Sequence, residues 1–251
     1  MPFTAPADRI EKELAIPVTR ELGSAPDSTP IALEPRSRRK YIDRVVNVII
    51  ASVGLILVSP LMLVVAVLVR LSSPGPIFYT QPRVGLDRRR PSGRSPMYDR
   101  RARDLGGVPF MIYKFRTMRV DAEANQSAVW ATKGDARVTR IGGLMRKLRL
   151  DEFPQLFNVL IGDMNIVGPR PERPSIFSRL CVDIGEYPLR QRTRPGITGW
   201  AQINQSYDTS FDDVRRKVRY DLEYLQRQGV REDLRIMAKT VPVMLFRKGG
   251  W

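Results

Sequence analysis

Val45 to Val69, VVNVIIASVGLILVSPLMLVVAVLV, is a run of 25 residues without a charge, long enough to cross a bilayer as a helix. A spanning helix is the first reading. Two features favour a helix that enters the membrane and returns. Ser59-Pro60 lies just past the middle of the run, where a proline removes an i→i−4 hydrogen bond and bends a helix. Basic residues also flank both ends, with Arg36, Arg38, Arg39, Lys40 and Arg44 before the run and Arg70, Arg83 and Arg88 to Arg90 after it. Such clusters belong on the cytoplasmic face, and only a chain that returns keeps both there. The first limb, Val45 to Val58, reaches about 21 Å at 1.5 Å per residue, short of a hydrocarbon core of about 30 Å. The carbonyls freed at the break need donors, and the Ser59 hydroxyl is one candidate.

Outward from this segment the composition changes sharply. Residues 1–37 read as a disordered tail, since the first 35 hold six prolines, six acidic and three basic residues and no apolar period. The N-terminus lacks the pattern of a cleaved signal peptide. The whole chain carries a net charge of +16, so the rest is strongly basic. A surface of that kind suits nucleic acid, anionic lipid or phosphorylated substrates. No histidine is present, which excludes a Ser-His-Asp triad or a His-ligated metal. The single Cys181 allows no intrachain disulfide and reads as a small buried apolar residue.

Beyond the membrane segment, Ile77 to Gln81 reads as a short strand. Arg83 to Asp104, with eight basic residues, reads as an exposed loop lying against anionic headgroups. Val108 to Tyr113 is β-prone and leads into Lys114-Phe115-Arg116, whose cations would share one face of a strand. A solvated edge is the plainer alternative. Helices are expected over Asp121 to Trp130, from a Thr139 cap to about Leu148 with Leu144 and Leu148 on one face, over Phe211 to Gln228 with Ser210 or Asp212 as cap, and over Arg231 to Phe246, interrupted by Pro242. The last of these suits either the membrane interface or the domain core.

Chemistry concentrates in Arg146 to Pro171, RKLRLDEFPQLFNVLIGDMNIVGPRP. Pro154 fits the first turn of a helix, so Asp151 and Glu152 sit at the start of a short helix over Pro154 to Leu160. Leu156, Phe157 and Leu160 have the spacing to pack it down. A helix N-terminus and the cations Arg146, Lys147, Arg149 and Arg170 favour anions there. An ionised carboxylate beside a bound phosphate can act as nucleophile, and its neighbour can hold Mg²⁺ on the same phosphate. Read alone, Asp-Glu is more simply a capping pair. The later loop with Arg192, Arg194, Gly196 and Gly199 offers backbone N–H groups to an anion, a weak signal by itself.

Together, Lys114-Phe115-Arg116-Thr117-Met118, LDEFPQLFNVLIGDM (150–164), VGPRPE (167–172) and RPGITGWAQIN (194–204) resemble the bacterial sugar transferase family, the monotopic phosphoglycosyl transferases. The likeness covers roughly Arg39 to the C-terminus. It departs in the long basic loop at 88–107 and at Asn204-Gln205-Ser206-Tyr207.

The resemblance implies an α/β (α+β) monotopic membrane protein of three parts: the tail 1–37, a re-entrant helix over 38–72 broken at Ser59-Pro60, and a small, mainly helical catalytic domain over 73–251 with short strands and interfacial amphipathic helices. It implies transfer of a sugar 1-phosphate, a hexose from a UDP-sugar, to undecaprenyl phosphate with release of UMP. Asp151 would be the nucleophile, forming an aspartyl phosphosugar, and Asp151 and Glu152 would hold Mg²⁺. Lys114, Arg116, Arg146, Arg170 and Arg194 would bind phosphate. Direct transfer in a ternary complex, with Asp151 only a metal ligand, remains the alternative mechanism. The implied location is the bacterial inner membrane with the domain on the cytoplasmic face. Anionic membrane lipids are the further partners, a homodimer is left open, and nucleic acid is not expected. A basic scaffold or nucleic-acid binder is the competing function. It explains the charge and the apolar segment but not a carboxylate pair set among arginines, and no aromatic platform for RNA is evident.

Overall fold

The apolar run folds as one helix, α1 (Lys40–Ser72), with Pro60 inside it. In this computed structural model the described residues are 40–87, 107–120, 122, 135–205 and 210–246. The expected tail, most of the basic loop and nearly all of the helix expected over Asp121 to Trp130 lie outside them. The helix is not interrupted at Ser59-Pro60 as expected. Proline leaves the carbonyl four residues earlier, that of Ile56, without its N–H partner. The Ser59 hydroxyl donates to that same carbonyl at 2.9 Å, so the local deficit is met and the helix continues.

Both ends of α1 dock on the rest of the chain. Near the N-terminal end, the buried Asn47 accepts the Ile166 N–H at 2.7 Å through Oδ1 and donates to the Asp43 carbonyl through Nδ2. Arg44 donates to the carbonyls of Val159 and Leu160, which lie in the last turn of a short helix where carbonyls lack intrahelical partners and a cation is favoured. Ala51 is fully buried in the main core. Toward the other end, Val65 and Val69 pack with Phe115 and Met145, and Met62 and Ala66 pack beside them. Between these contacts, Ile56, Leu57, Leu61, Leu63 and Val64 are exposed.

The domain carries two small sheets. Strands β1 (Phe78–Val84) and β2 (Pro109–Phe115) are antiparallel, with Tyr79 opposite Lys114. Strands β3 (Asn165–Val167) and β4 (Gly196–Thr198) are parallel. Around them lie α2 (Arg140–Lys147), α3 (Gln155–Ile161), α4 (Pro174–Asp183), α5 (Trp200–Asn204), α6 (Phe211–Arg227) and α7 (Val230–Phe246). Thr139 caps α2 by accepting the Gly142 N–H at 2.9 Å. Ser210 caps α6 in a reciprocal pair with Asp213. Phe110, Ile112, Val159, Met164, Tyr224 and Ile236 form the centre of the main core. A mixed fold of helices and short strands with one long apolar helix is thus what the chain adopts.

Several local expectations shift. Arg83, read as the start of the loop, belongs to β1, which runs to Val84. Helix α7 runs through Pro242 rather than stopping at it. In α3, Leu156 and Leu160 pack on the core but Phe157 is exposed, together with Ile161. The helical period explains this, because positions 156, 159 and 160 share one face and 157 and 161 another. Leu144 and Leu148 do share a face, and it too points outward, while Met145 is the buried side chain of α2.

Candidate active site

Asp151 and Glu152 fall in a short 3₁₀ turn, Leu150–Glu152, that leads through Phe153 and Pro154 into α3. Both are buried. The turn is entered through Arg149, whose φ of 55° makes it the only non-glycine with positive φ among the described residues. Such a conformation is costly for a side-chain-bearing residue and often accompanies function. The helix is capped by Pro154 with no side-chain hydrogen bond, so capping is not what occupies the two carboxylates.

Glu152 takes most of the positive charge. Its Oε1 accepts from Lys114 Nζ at 3.1 Å and from Arg170 Nη2 at 2.5 Å. Its Oε2 lies 3.4 Å from Arg170 Nη1 and 3.8 Å from Arg149 Nη1. Two guanidinium nitrogens on one carboxylate form the fork that fixes geometry as well as charge. Burial pushes the Glu152 carboxyl up, but the charges of Arg170 and Lys114 outweigh it and hold it well below the usual carboxylate range. Asp151 differs. Its nearest cation contact is Lys114 Nζ at 4.0 Å from Oδ2. Burial raises its pKa, and the nearby Lys114 only partly opposes this. Burial also lowers the Lys114 pKa against the pull of Glu152. The site therefore holds one tightly neutralised carboxylate beside one that is desolvated and lightly paired.

Arg170 reaches Glu152 because its backbone is suspended. Pro169 and Pro171 have no N–H to donate, so the segment is held by its carbonyls. Those of residues 169, 170, 171 and 172 accept, in order, from Gly196 N at 3.0 Å, Arg190 Nη2 at 3.1 Å, Arg83 Nη1 at 3.3 Å and Val84 N at 2.9 Å. Four successive carbonyls are thus pinned from β4, the 3₁₀ segment Tyr187–Arg192 and β1.

The structure brings Asp151, Glu152, Lys114 and Arg170 together, and Arg146 lies at the edge of the group. Its Nε donates to Thr117 Oγ1 at 2.9 Å, and its charge acts weakly on Asp151. Arg116 goes elsewhere. It follows the end of β2, is buried, and donates to the Ser73 carbonyl at 2.6 Å, the Pro74 carbonyl at 3.0 Å and Ser73 Oγ at 3.0 Å. It therefore closes the C-terminal end of α1 instead of facing phosphate. Arg194 lines a small cleft with Gly162, Asp163 and Phe110, at the opposite end of α3 from the dyad. Gly196 and Gly199 also serve packing. A Cβ on either would collide with the backbone of Gly168, so these glycines let two chain segments meet. Sequence reading counted Arg83 only as a flanking charge at the start of the basic loop and did not single out Arg190 or Asp221, since no local pattern marks them.

Residues 38–247 match the bacterial sugar transferase family, and the chain belongs to it. It is 39% identical over 219 residues to a UDP-N-acetylgalactosamine-undecaprenyl-phosphate N-acetylgalactosaminephosphotransferase of Aeromonas hydrophila, covering 87% of this chain and 47% of that protein. It is 39% identical over 205 residues to a UDP-glucose:undecaprenyl-phosphate glucose-1-phosphate transferase of Xanthomonas campestris pv. campestris, covering 81% of this chain and 38% of that protein. A protein of the same description from Caulobacter vibrioides is 34% identical over 249 residues, covering 93% of this chain and 85% of that protein. The chain thus spans half or less of the first two relatives and most of the third.

Proposed function

We propose that this chain transfers a sugar 1-phosphate from a UDP-sugar to undecaprenyl phosphate, giving undecaprenyl-diphosphate-sugar and UMP. The observation that carries this reading is the asymmetry of the dyad, in which Glu152 has Lys114 and Arg170 within 3.5 Å and Arg149 at 3.8 Å, whereas Asp151 has, among the described residues, Lys114 alone, at 4.0 Å. A lightly paired, desolvated carboxylate is suited to attack, and the cations beside it suit a phosphate. An Asp151 oxygen attacks the sugar-linked phosphorus, the bond to the second phosphate breaks, and UMP leaves with the electron pair. The phosphate oxygen of the lipid then attacks the same phosphorus, and the bond to Asp151 breaks to restore the carboxylate. Lys114 and Arg170 sit where charge on the transferring group is neutralised, and phosphoryl transfer depends mainly on such positioning. No third histidine, cysteine or carboxylate joins the pair among the described residues. That donor set fits Mg²⁺, which uses one or two carboxylates and takes further ligands from substrate phosphates and water. Asp151 and Glu152 would hold it, and when bound it supplies charge neutralisation on the diphosphate.

The fold supports a monotopic, re-entrant placement at the cytoplasmic face of the inner membrane, because both ends of α1 dock on one domain while its middle is exposed. The outward Leu144, Leu148, Phe157 and Ile161 suit an interfacial position for α2 and α3 among anionic lipids. Relatives named for glucose and for N-acetylgalactosamine leave the sugar to experiment. Purified chain, undecaprenyl phosphate and Mg²⁺ with a panel of UDP-hexoses and UDP-N-acetylhexosamines should release UMP with one of them. With donor alone, mass spectrometry should find a sugar phosphate on the peptide holding Asp151. Turnover without that adduct favours direct transfer, and no release from any donor returns the chain to the scaffold reading.

A further inference from the structure

Arg190 is the largest fully buried side chain among the described residues, with no exposed surface. Removing a guanidinium from water costs several kcal/mol, and apolar replacements of such buried pairs are often neutral or stabilising. Folding alone is therefore a weak reason for its presence. Its contacts indicate another. Nε donates to Asp221 Oδ2 of α6 at 2.6 Å, and the guanidinium lies 4.7 Å from the centre of the Tyr187 ring. Those two contacts immobilise it. The third, from Nη2 to the Arg170 carbonyl at 3.1 Å, passes that rigidity to the residue whose side chain grips Glu152. The flanking prolines restrict rotation on either side of that carbonyl, so fixing it also fixes where the Arg170 side chain begins.

We propose that Arg190, locked by Asp221, is a positioning residue for the transfer reaction, holding the Arg170 backbone so that its guanidinium stays on Glu152 and meets the donor phosphate. This rests on the transferase reading above. It makes α6, remote in sequence from the dyad, part of the support of the site. A planar guanidinium serves both partners at once through separate nitrogens, whereas a compact ammonium cannot span them in the same way. Arg190→Lys therefore keeps the charge beside Asp221 and releases the Arg170 carbonyl.

In the full chain in lipid nanodiscs, Arg190→Lys should lower kcat by about 10- to 100-fold, the scale of a small misplacement at a reacting centre, with KM little changed. In an Arg170→Gln background the same substitution should add almost no further loss, because residues acting through one another are not additive. Hydrogen exchange supplies a readout that needs no activity. Arg190→Lys should speed exchange in the peptide spanning 168–173 while 187–192 and α6 keep their protection. Equal losses in both backgrounds, or loosening that spreads through α6, would make Arg190 a structural pin and overturn the proposal. A wild-type chain without turnover would defeat the transferase reading instead, and the exchange pattern would still decide whether Arg190 holds Arg170.

Discussion

Asn47 and Ile166 are joined across 119 residues of sequence by a buried hydrogen bond of 2.7 Å, from the Ile166 backbone N–H to Asn47 Oδ1. The bond ties the long apolar helix α1 to β3, whose far end leads into the Pro169-Arg170-Pro171 segment beside the dyad. A polar side chain in an apolar run is thereby used for docking. Asn47→Leu would leave the Ile166 N–H buried without its acceptor, at a cost of about 1–3 kcal/mol. The unfolding temperature in nanodiscs should fall accordingly. An unchanged midpoint would show that the contact contributes nothing to docking.

Arg116 separates anchoring from catalysis. Its guanidinium serves the carbonyls of Ser73 and Pro74 at the end of α1. Arg116→Ala should cost on the order of 2 kcal/mol while turnover per folded molecule stays close to wild type. Arg170→Ala should instead lower kcat by about 10²–10³-fold if its contact is made in the transition state, and should also lower stability, because the buried Glu152 loses its nearest counter-ion. A catalytic defect in Arg116→Ala at full stability would restore Arg116 to the phosphate site.

The two carboxylates should respond to neutralisation with opposite signs. The folded pKa of Glu152 is depressed, so its stabilisation is present above its unfolded value near 4.3 and fades as pH falls toward the folded one. The folded pKa of Asp151 is raised. Its stabilisation is full below the unfolded value near 3.9 and is lost as pH rises through the folded value. At pH 7.5, Asp151→Asn should therefore abolish turnover and raise the unfolding temperature. Glu152→Gln should impair turnover and lower it, because three cations lose their shared counter-ion. Melts repeated at pH 4 should show both differences shrinking. A lower unfolding temperature for Asp151→Asn at pH 7.5 would contradict the assignment of the desolvated group.

Much of this was legible in the chain because it depends on local chemistry. Thr139 and Ser210 cap their helices as their residue types suggest, and Pro154 marks the start of α3. Ser59 does donate to the carbonyl that Pro60 orphans. What could not be read depends on distant partners. Lys114 and Arg116 looked alike from their alternation, yet one meets Glu152 and the other the end of α1. Arg194 stood in a motif and still lies at the wrong end of α3. Arg190 is invisible without Asp221, 31 residues away, to neutralise it. Phe157 and Leu156 are equally apolar, and only the surroundings of α3 decide which faces outward.

The placement of α1 yields the last prediction. From Asn47 to Val69 a straight helix would extend about 33 Å at 1.5 Å per residue, comparable with a hydrocarbon core of about 30 Å. A spanning α1 would therefore put these two residues near opposite faces. Yet Asn47 is hydrogen-bonded to Ile166 and Val69 packs with Phe115 and Met145, all within the same domain. One domain cannot sit on both sides of a bilayer, so both ends of α1 should lie on the same side, which the proposed placement makes the cytoplasmic one. Single cysteines placed by Tyr41→Cys at the exposed start of α1 and by Arg216→Cys on the exposed side of α6, in a Cys181→Ser background, report the two positions. In intact cells both should be protected from a membrane-impermeant thiol reagent and labelled only after lysis. Replacing Ser59 and Pro60 with Leu removes the proline and leaves a continuous apolar run, and the basic flanks on either side then compete for the cytoplasmic face. That variant should become partly labelled at residue 41 while residue 216 stays protected. Labelling of residue 41 in the unaltered helix, with residue 216 protected, would mean that α1 simply crosses the membrane and that its contacts with the domain do not hold in the bilayer.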